Sequence, residues 1–359
     1  MQDKNRVIGI DIYRILCMFA ITVSFHLIGY GNLLKETEGN FFNHFLTLFL
    51  YSFRTFGING FIVISSVFLI DAVSTVKKVI RFDTMVIFYA VVIGMFGLLF
   101  SADIYKPNII KTFFPILTSY YWYSTSYVIL LLLVPFLNIF IKAMDKRTFT
   151  AFIIMAVVIF EIWCGMNITL NSAEYVGHAS KGILWFVLLY FVTAYVKLYM
   201  NEVKPKYGKF VFVFGLILYM VLKYLEELGI GSINQILSET EILNNNSILS
   251  LIVTISGYIA FKDIQIDNKK AVVKIVNHIT PSLFGIYLIQ ENLLFRSFLW
   301  KHLNSLTRNW ADSWVLIPML IVVFMGFWIV SHMLNYIYQF LQKRLFIKVE
   351  NYICSKIIK

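Results

Sequence analysis

The chain has 359 residues, 59% of them hydrophobic and 14% charged, with a mean hydropathy of +0.75. That composition excludes a soluble globular protein of this size and makes lipid the solvent. A formal net charge of +11 would suit nucleic acid, but the 31 Lys and Arg alternate from loop to loop, which marks membrane topology and excludes a nucleic-acid partner.

A bilayer-spanning helix needs roughly 20 apolar residues. Ten runs approach that, at 7–29, 56–71, 84–101, 123–141, 149–169, 182–200, 209–225, 247–261, 279–298 and 313–340. The fold class they predict is all-α: a polytopic membrane helix bundle of about ten transmembrane helices, forming a single domain over 1–359. Placing the N-terminus in the cytosol puts 21 of the cations inside. They are Lys4 and Arg6; Lys77, Lys78 and Arg81; Lys142, Lys146 and Arg147; Lys197, Lys204, Lys206 and Lys209; Lys262, Lys269, Lys270 and Lys274; and Lys343, Arg344, Lys348, Lys356 and Lys359. Both termini are then cytosolic, and the excess charge adds attraction to anionic lipid.

In the first run Lys4 and Arg6 precede apolar residues as in a signal peptide, but Asp11 and Arg14 interrupt it and no small-residue cleavage site follows. An uncleaved span is expected. A charge at the bilayer centre costs roughly 2.5–3.5 kcal/mol, so Asp11, Arg14 and the titratable His26 are functional candidates. At about 1.5 Å per residue, Arg14 and His26 lie about 18 Å apart along the helix. They make two stations, a fixed cation towards the cytosol and an imidazole towards the outside. The plainer reading has Arg14 paired with Asp11 at the inner interface, and His26 bonded to a neighbouring helix.

The stretch 41–53 is apolar but bounded by charges, which suits an interfacial or re-entrant segment. Arg54, Asn59, Ser65 and Ser66 stud the second run, and Asp71 closes it. Lys77, Lys78 and Arg81 follow, a cation group able to receive the phosphates of a nucleotide-like donor or simply to fix topology. The longest connections, roughly 102–122 and 226–246, fall outside, with Asn244, Asn245 and Asn246 marking a turn.

Tyr120, Tyr121, Trp122, Tyr123, Ser124, Thr125 and Tyr127 crowd the outer entrance of the fourth run. They suit an aromatic belt or a sugar platform of ring faces beside hydroxyls. In the ninth run Tyr287 and Glu291 share a face, and Gln290, Asn292 and Arg296 add polar groups at its outer end. That end is either a binding site or a helix emerging into water. Cys17, Cys164 and Cys354 show no disulfide or metal spacing. No G-x-G-x-x-G, Walker loop, nucleophile elbow, H-E-x-x-H or C-x-x-C occurs, which removes the usual support for dinucleotide redox, ATP-driven transport and metallohydrolase chemistry.

Several segments together resemble one family. Gly9-Ile-Asp-Ile-Tyr-Arg14 with His26 and Gly29-Tyr-Gly31 is similar to the first span of the acyltransferase-3 family of integral membrane acyltransferases. Gly57-Ile-Asn-Gly-Phe-Ile-Val-Ile-Ser65 resembles its second span, and Tyr121-Trp-Tyr with Tyr127 and Pro135-Phe-Leu-Asn138 its fourth. Leu184-Trp-Phe-Val-Leu-Leu-Tyr190 resembles its sixth and Phe284-Gly-Ile-Tyr-Leu-Ile289 its ninth. The branch it most resembles acetylates sugar hydroxyls of bacterial capsules and exopolysaccharides. The resemblance implies acetyl-CoA as a cytosolic acyl donor, with no tightly bound cofactor. It also implies a glycan acceptor at the outer face, polysaccharide-assembly partners and a bacterial plasma membrane. It maps the family's Arg and His onto Arg14 and His26, and its basic donor-side residues onto Lys77, Lys78 and Arg81. Two departures stand out. Eleven residues separate Arg14 from His26, one more than the family's usual spacing, which turns His26 about 120° from Arg14's face instead of about 20° unless a π-bulge absorbs the extra residue. Gln290-Glu291-Asn292 stands where this branch commonly has His-Asp-Asn, and Ser66 replaces a Gly.

The expected chemistry is O-acyl transfer. His26 acts as general base towards a sugar hydroxyl, a task imidazole suits at neutral pH. Glu291 or Asp11 orients an imidazole, and Arg14, Lys77, Lys78 and Arg81 hold the CoA end. Arg54, Trp122, Tyr123, Tyr287, Gln290 and Asn292 are the acceptor-binding candidates, and no metal is expected. The alternatives are a transporter of a glycan or organic anion, with Arg14 and Arg54 as counter-charges, and an inactive glycan-binding relative.

Overall fold

A computed structural model of the protein describes residues 7–100, 107–163, 182–231, 235–237, 242–267, 270–347 and 350–351. Among them no strand occurs, and the chain is an all-α polytopic membrane protein. The helices are, in order, α1 Ile8–Ala20, continued by a π-helical segment Ile21–Tyr30; α2 Leu33–Glu36; α3 Phe41–Ser52; α4 Gly57–Val67; α5 Val76–Phe100; α6 Pro107–Phe113; and α7 Trp122–Lys142. There follow α8 Lys146–Val157 with a π turn Val158–Trp163; α9 Ile183–Tyr199; α10 Pro205–Glu227; α11 Ile248–Phe261; α12 Ala271–Ile279; α13 Leu283–Gln290; α14 Arg296–Arg308; and α15 Leu316–Leu341 with a π turn Gln342–Phe346.

Seven helical stretches among the described residues are long and apolar enough to cross a membrane: Ile8–Tyr30, Phe41–Val67, Val76–Phe100, Trp122–Lys142, Pro205–Glu227, Ala271–Gln290 and Leu316–Phe346. Ile183–Tyr199 and Ile248–Phe261 are shorter and equally apolar. The expected fifth span, 149–169, runs on beyond the described residues, as do Cys164 and Cys354.

Two expectations change. The stretch 41–53 is not a separate interfacial piece: α3 continues through a 3-10 turn, Phe53–Thr55, into α4, giving one 27-residue helical stretch. Asn40 starts it by accepting from the Asn43 amide at 3.1 Å, which satisfies one of the amides a helix start leaves open. The ninth helix, expected over 279–298, ends at Gln290. There the Asn292 side chain takes the Leu294 amide at 3.1 Å and its carbonyl takes the Arg296 amide at 2.7 Å. The chain turns, and α14 begins at Arg296, so Glu291 lies in the connection and Arg296 on the following helix, rather than both on one helix face.

The chain forms two compact units: Met1–Asp71 with Asn138–Thr280, and Ala72–Leu137 with Pro281–Lys359. In the first, α1 packs on α4 and α11, α4 on α9 and α11, and α10 on α3 and α11. Tyr13 lies at the centre. It is fully buried, its ring stacks on Phe56 and Phe261 at 5.9 and 5.5 Å, and its hydroxyl donates to the Thr254 carbonyl at 3.0 Å. Small residues allow this approach: a Cβ on Gly60 would meet the Cys17 sulfur, and one on Gly208 would lie 2.7 Å from the Ala260 nitrogen. In the second unit α13 packs on α15 and α5, pinned by Tyr89 donating to the Ser331 carbonyl at 3.1 Å and Ser331 donating to the Ser282 carbonyl at 2.5 Å.

Candidate functional site

In the first unit the site candidates lie on and beside α1. Arg14 donates to Asp11 at 3.1 Å, one helical turn earlier, and Asp11 is buried. Beyond Ala20 the helix widens into the π segment, in which the Gly31 amide reaches the His26 carbonyl five residues back at 2.8 Å. A π turn takes up one extra residue, so between Ala20 and His26 it sheds about 100° of rotation and returns His26 to about 20° from the face of Arg14. The spacing departure seen in the sequence is thereby absorbed in the backbone. His26 is buried, its Nδ1 lies 2.9 Å from the Ile21 carbonyl, and Tyr30 packs edge-on at 5.6 Å. A carbonyl can only accept, so Nδ1 carries the proton, and in the neutral ring Nε2 carries the lone pair.

Arg54 sits in the 3-10 turn between α3 and α4. Its Nε donates to the Asn245 side chain at 2.9 Å, and Nη1 donates to the Tyr51 hydroxyl. The guanidinium carbon lies 4.7 Å from the Tyr51 ring centre and 5.2 Å from that of Phe25, the residue before His26. Asn245 is fixed in turn: Asn59 donates to its carbonyl at 2.7 Å, and Trp185 donates to Asn59 at 2.8 Å. In the sequence Asn245 marks only a turn. Its role as partner of Arg54 depends on a contact spanning 191 positions and has no local signal.

The second unit holds the other candidates. Lys77, Lys78 and Arg81, on the first turns of α5, are all exposed, and Lys77 and Arg81 lie 3.5 and 3.8 Å from the buried carboxylate of Glu350. This acidic partner near the C-terminus was not evident in the sequence. Trp122 is exposed at the start of α7 and packs edge-on to Tyr123 at 6.1 Å. Tyr123 meets Tyr287 at 5.5 Å, Phe284 at 6.0 Å and Tyr127 at 6.2 Å, so Trp122, Tyr123 and Tyr287 do come together. The Tyr287 hydroxyl is buried towards the Tyr123 main chain and makes no well-formed hydrogen bond among the described residues.

Asn292 is fully buried and committed to the protein itself. Its Oδ1 accepts from the Tyr120 hydroxyl at 2.9 Å, and its Nδ2 faces the Tyr121 hydroxyl at 3.1 Å and the Ala90 carbonyl at 3.2 Å. Tyr121 donates onward to the Leu288 carbonyl at 3.0 Å. Gln290 is also fully buried, its main-chain carbonyl accepting from the Trp300 indole at 3.1 Å. Glu291 reaches Arg296 at 3.5 Å. Among the described residues no group of His, Cys, Asp and Glu could hold a metal ion.

The model of one protein family, described as an acyltransferase domain, matches residues 7–332. No curated protein and no solved structure matches the chain. The family match runs from the start of α1 into α15 and so takes in both units and every candidate residue except Glu350. The chain belongs to the acyltransferase-3 family of integral membrane acyltransferases.

Proposed function

We propose that this membrane acyltransferase moves an acetyl group from cytosolic acetyl-CoA to a sugar hydroxyl of a bacterial cell-surface polysaccharide or of its lipid-linked precursor, in the plasma membrane. The observation that carries the reading is the buried His26 in its π-helical turn, with Nδ1 held by the Ile21 carbonyl. That arrangement presents Nε2 as a base of fixed direction, which is what proton abstraction from a hydroxyl requires. As the hydroxyl oxygen attacks the thioester carbonyl, its proton passes to Nε2. The C–O bond forms, the C–S bond breaks, and CoA leaves as the thiol after taking a proton.

Arg14, Lys77, Lys78 and Arg81 are the proposed contacts of the CoA phosphates, since phosphate takes paired cationic donors. Trp122, Tyr123 and Tyr287, with Gln290 one helical turn after Tyr287, are the proposed sugar platform. Asn292 serves it by holding Tyr120 and Tyr121, and Glu291 is the proposed carboxylate at its edge. Arg54, packed on Phe25 of the π segment that carries His26, is the proposed acceptor contact.

The test is transfer of radiolabelled acetyl from acetyl-CoA to cell-envelope glycan in membranes carrying the protein, with His26→Ala alongside. Label in glycan that falls to background in the variant, at unchanged protein level, is expected. Equal labelling by both proteins removes His26 as base. No labelling by either, with a range of glycan acceptors, removes O-acetyl transfer in favour of glycan or anion transport.

A further inference from the structure

Arg54 is a half-buried cation that no carboxylate neutralises among the described residues. Lys223, the other cation over the Tyr51 ring at 5.7 Å, has its charge taken by Glu226 at 2.5 Å, and nearby Glu227 is engaged by His44 at 3.2 Å. Withdrawing a cation from water is costly unless it is paired. Polar and aromatic partners offset part of that cost, yet they use only part of the group. Guanidinium has five N–H donors. Nε is spent on Asn245 and one Nη1 donor on Tyr51, which leaves both Nη2 donors and one on Nη1 without an acceptor among the described residues. Nη1 and Nη2 together make the planar end of the group, whose two parallel N–H bonds match a carboxylate or phosphate. The faces of Tyr51 and Phe25 and the Asn59–Asn245 bond hold that end in one orientation.

We infer that the acceptor is an acidic glycan, and that Arg54 binds its oxyanion group, a carboxylate or a phosphate, with the Nη1–Nη2 edge. The inference rests on the glycan-acceptor reading above and adds the substrate class. Phe25, under the guanidinium, precedes His26 in the chain, so Arg54 packs on the same π-helical segment that carries the proposed base.

The test reads binding rather than turnover, so that it fails separately from the acetyl-transfer assay. Full-length protein in nanodiscs is probed by saturation-transfer NMR with glucuronate, glycerol phosphate and neutral glucose at millimolar concentration, together with Arg54→Gln and Arg54→Lys. At least one anionic probe is expected to bind about tenfold or more tightly than glucose, in line with a charge-assisted pair, and to lose that preference in Arg54→Gln. Binding of glucuronate identifies a uronate-type carboxylate, and binding of glycerol phosphate a phosphodiester-type group. Arg54→Lys retains the charge without the planar edge, so it is expected to weaken the anion preference only in part, which separates loss of the contact from loss of the fold. Equal binding of anionic and neutral probes, no binding of either anion, or a preference that survives in Arg54→Gln would each overturn the proposal.

Discussion

At the scale of single residues, burial separates groups that can meet a substrate from groups that hold others in place. Asn292 has the polar amide expected of a sugar contact, but it is fully buried and faces two tyrosine hydroxyls and the Ala90 carbonyl. Replacing it with Ala leaves those groups unmet inside the second unit, at about 1–2 kcal/mol in a membrane protein. Asn292→Ala is therefore expected to lower the thermal midpoint of the purified protein, and an unchanged midpoint would return the amide to the acceptor. Arg14 shows the same contrast in milder form. Its pairing with Asp11 was legible in the sequence because both lie on one helix face. The partners of Arg54 were not, because Asn245 comes from the far side of the chain.

At the scale of elements, α1 carries most of the argument. The sequence contains one residue too many between Arg14 and His26 for an even helix, and the π segment Ile21–Tyr30 takes it up. Inserting a further Ala between Ala20 and Ile21 is expected to turn His26 by about 100° and to abolish acetyl transfer. Deleting Thr22, which removes the surplus residue, is expected to retain transfer. Loss of activity in the deletion with retention in the insertion would show that the π turn does not set the direction of His26. Packing of α4 on α1 gives a second test. A methyl on Gly60 meets the Cys17 sulfur, and overpacking of that kind costs about 1–3 kcal/mol. Gly60→Ala should thus lower the thermal midpoint, and adding Cys17→Ala should recover part of the loss because the two sites are in contact.

At the scale of the whole molecule, the loop charges make a statement about sidedness. Single cysteines introduced at Lys77, Lys146 and Lys274 should react with a membrane-impermeant thiol reagent only after the membrane is opened, while cysteines at Thr118 and Asn309 should react in intact cells. Labelling of the first group in intact cells would reverse the orientation, and with it the assignment of Lys77, Lys78 and Arg81 to a cytosolic donor.

The sequence by itself determined the membrane class, the all-α fold, the family and the helix that carries Arg14 and His26, because hydropathy, loop charge and motif order are properties of short segments read in sequence. Only the tertiary structure decided that α3 runs on into α4, that the ninth helix stops at Gln290, and that the α1 backbone absorbs its extra residue. It alone placed Asn245 on Arg54 and Glu350 between Lys77 and Arg81. The physical reason is common to these cases: each depends on where a polar group finds its partner once water is gone, and that partner lies either on a distant segment or in a main-chain carbonyl, neither of which composition or periodicity records.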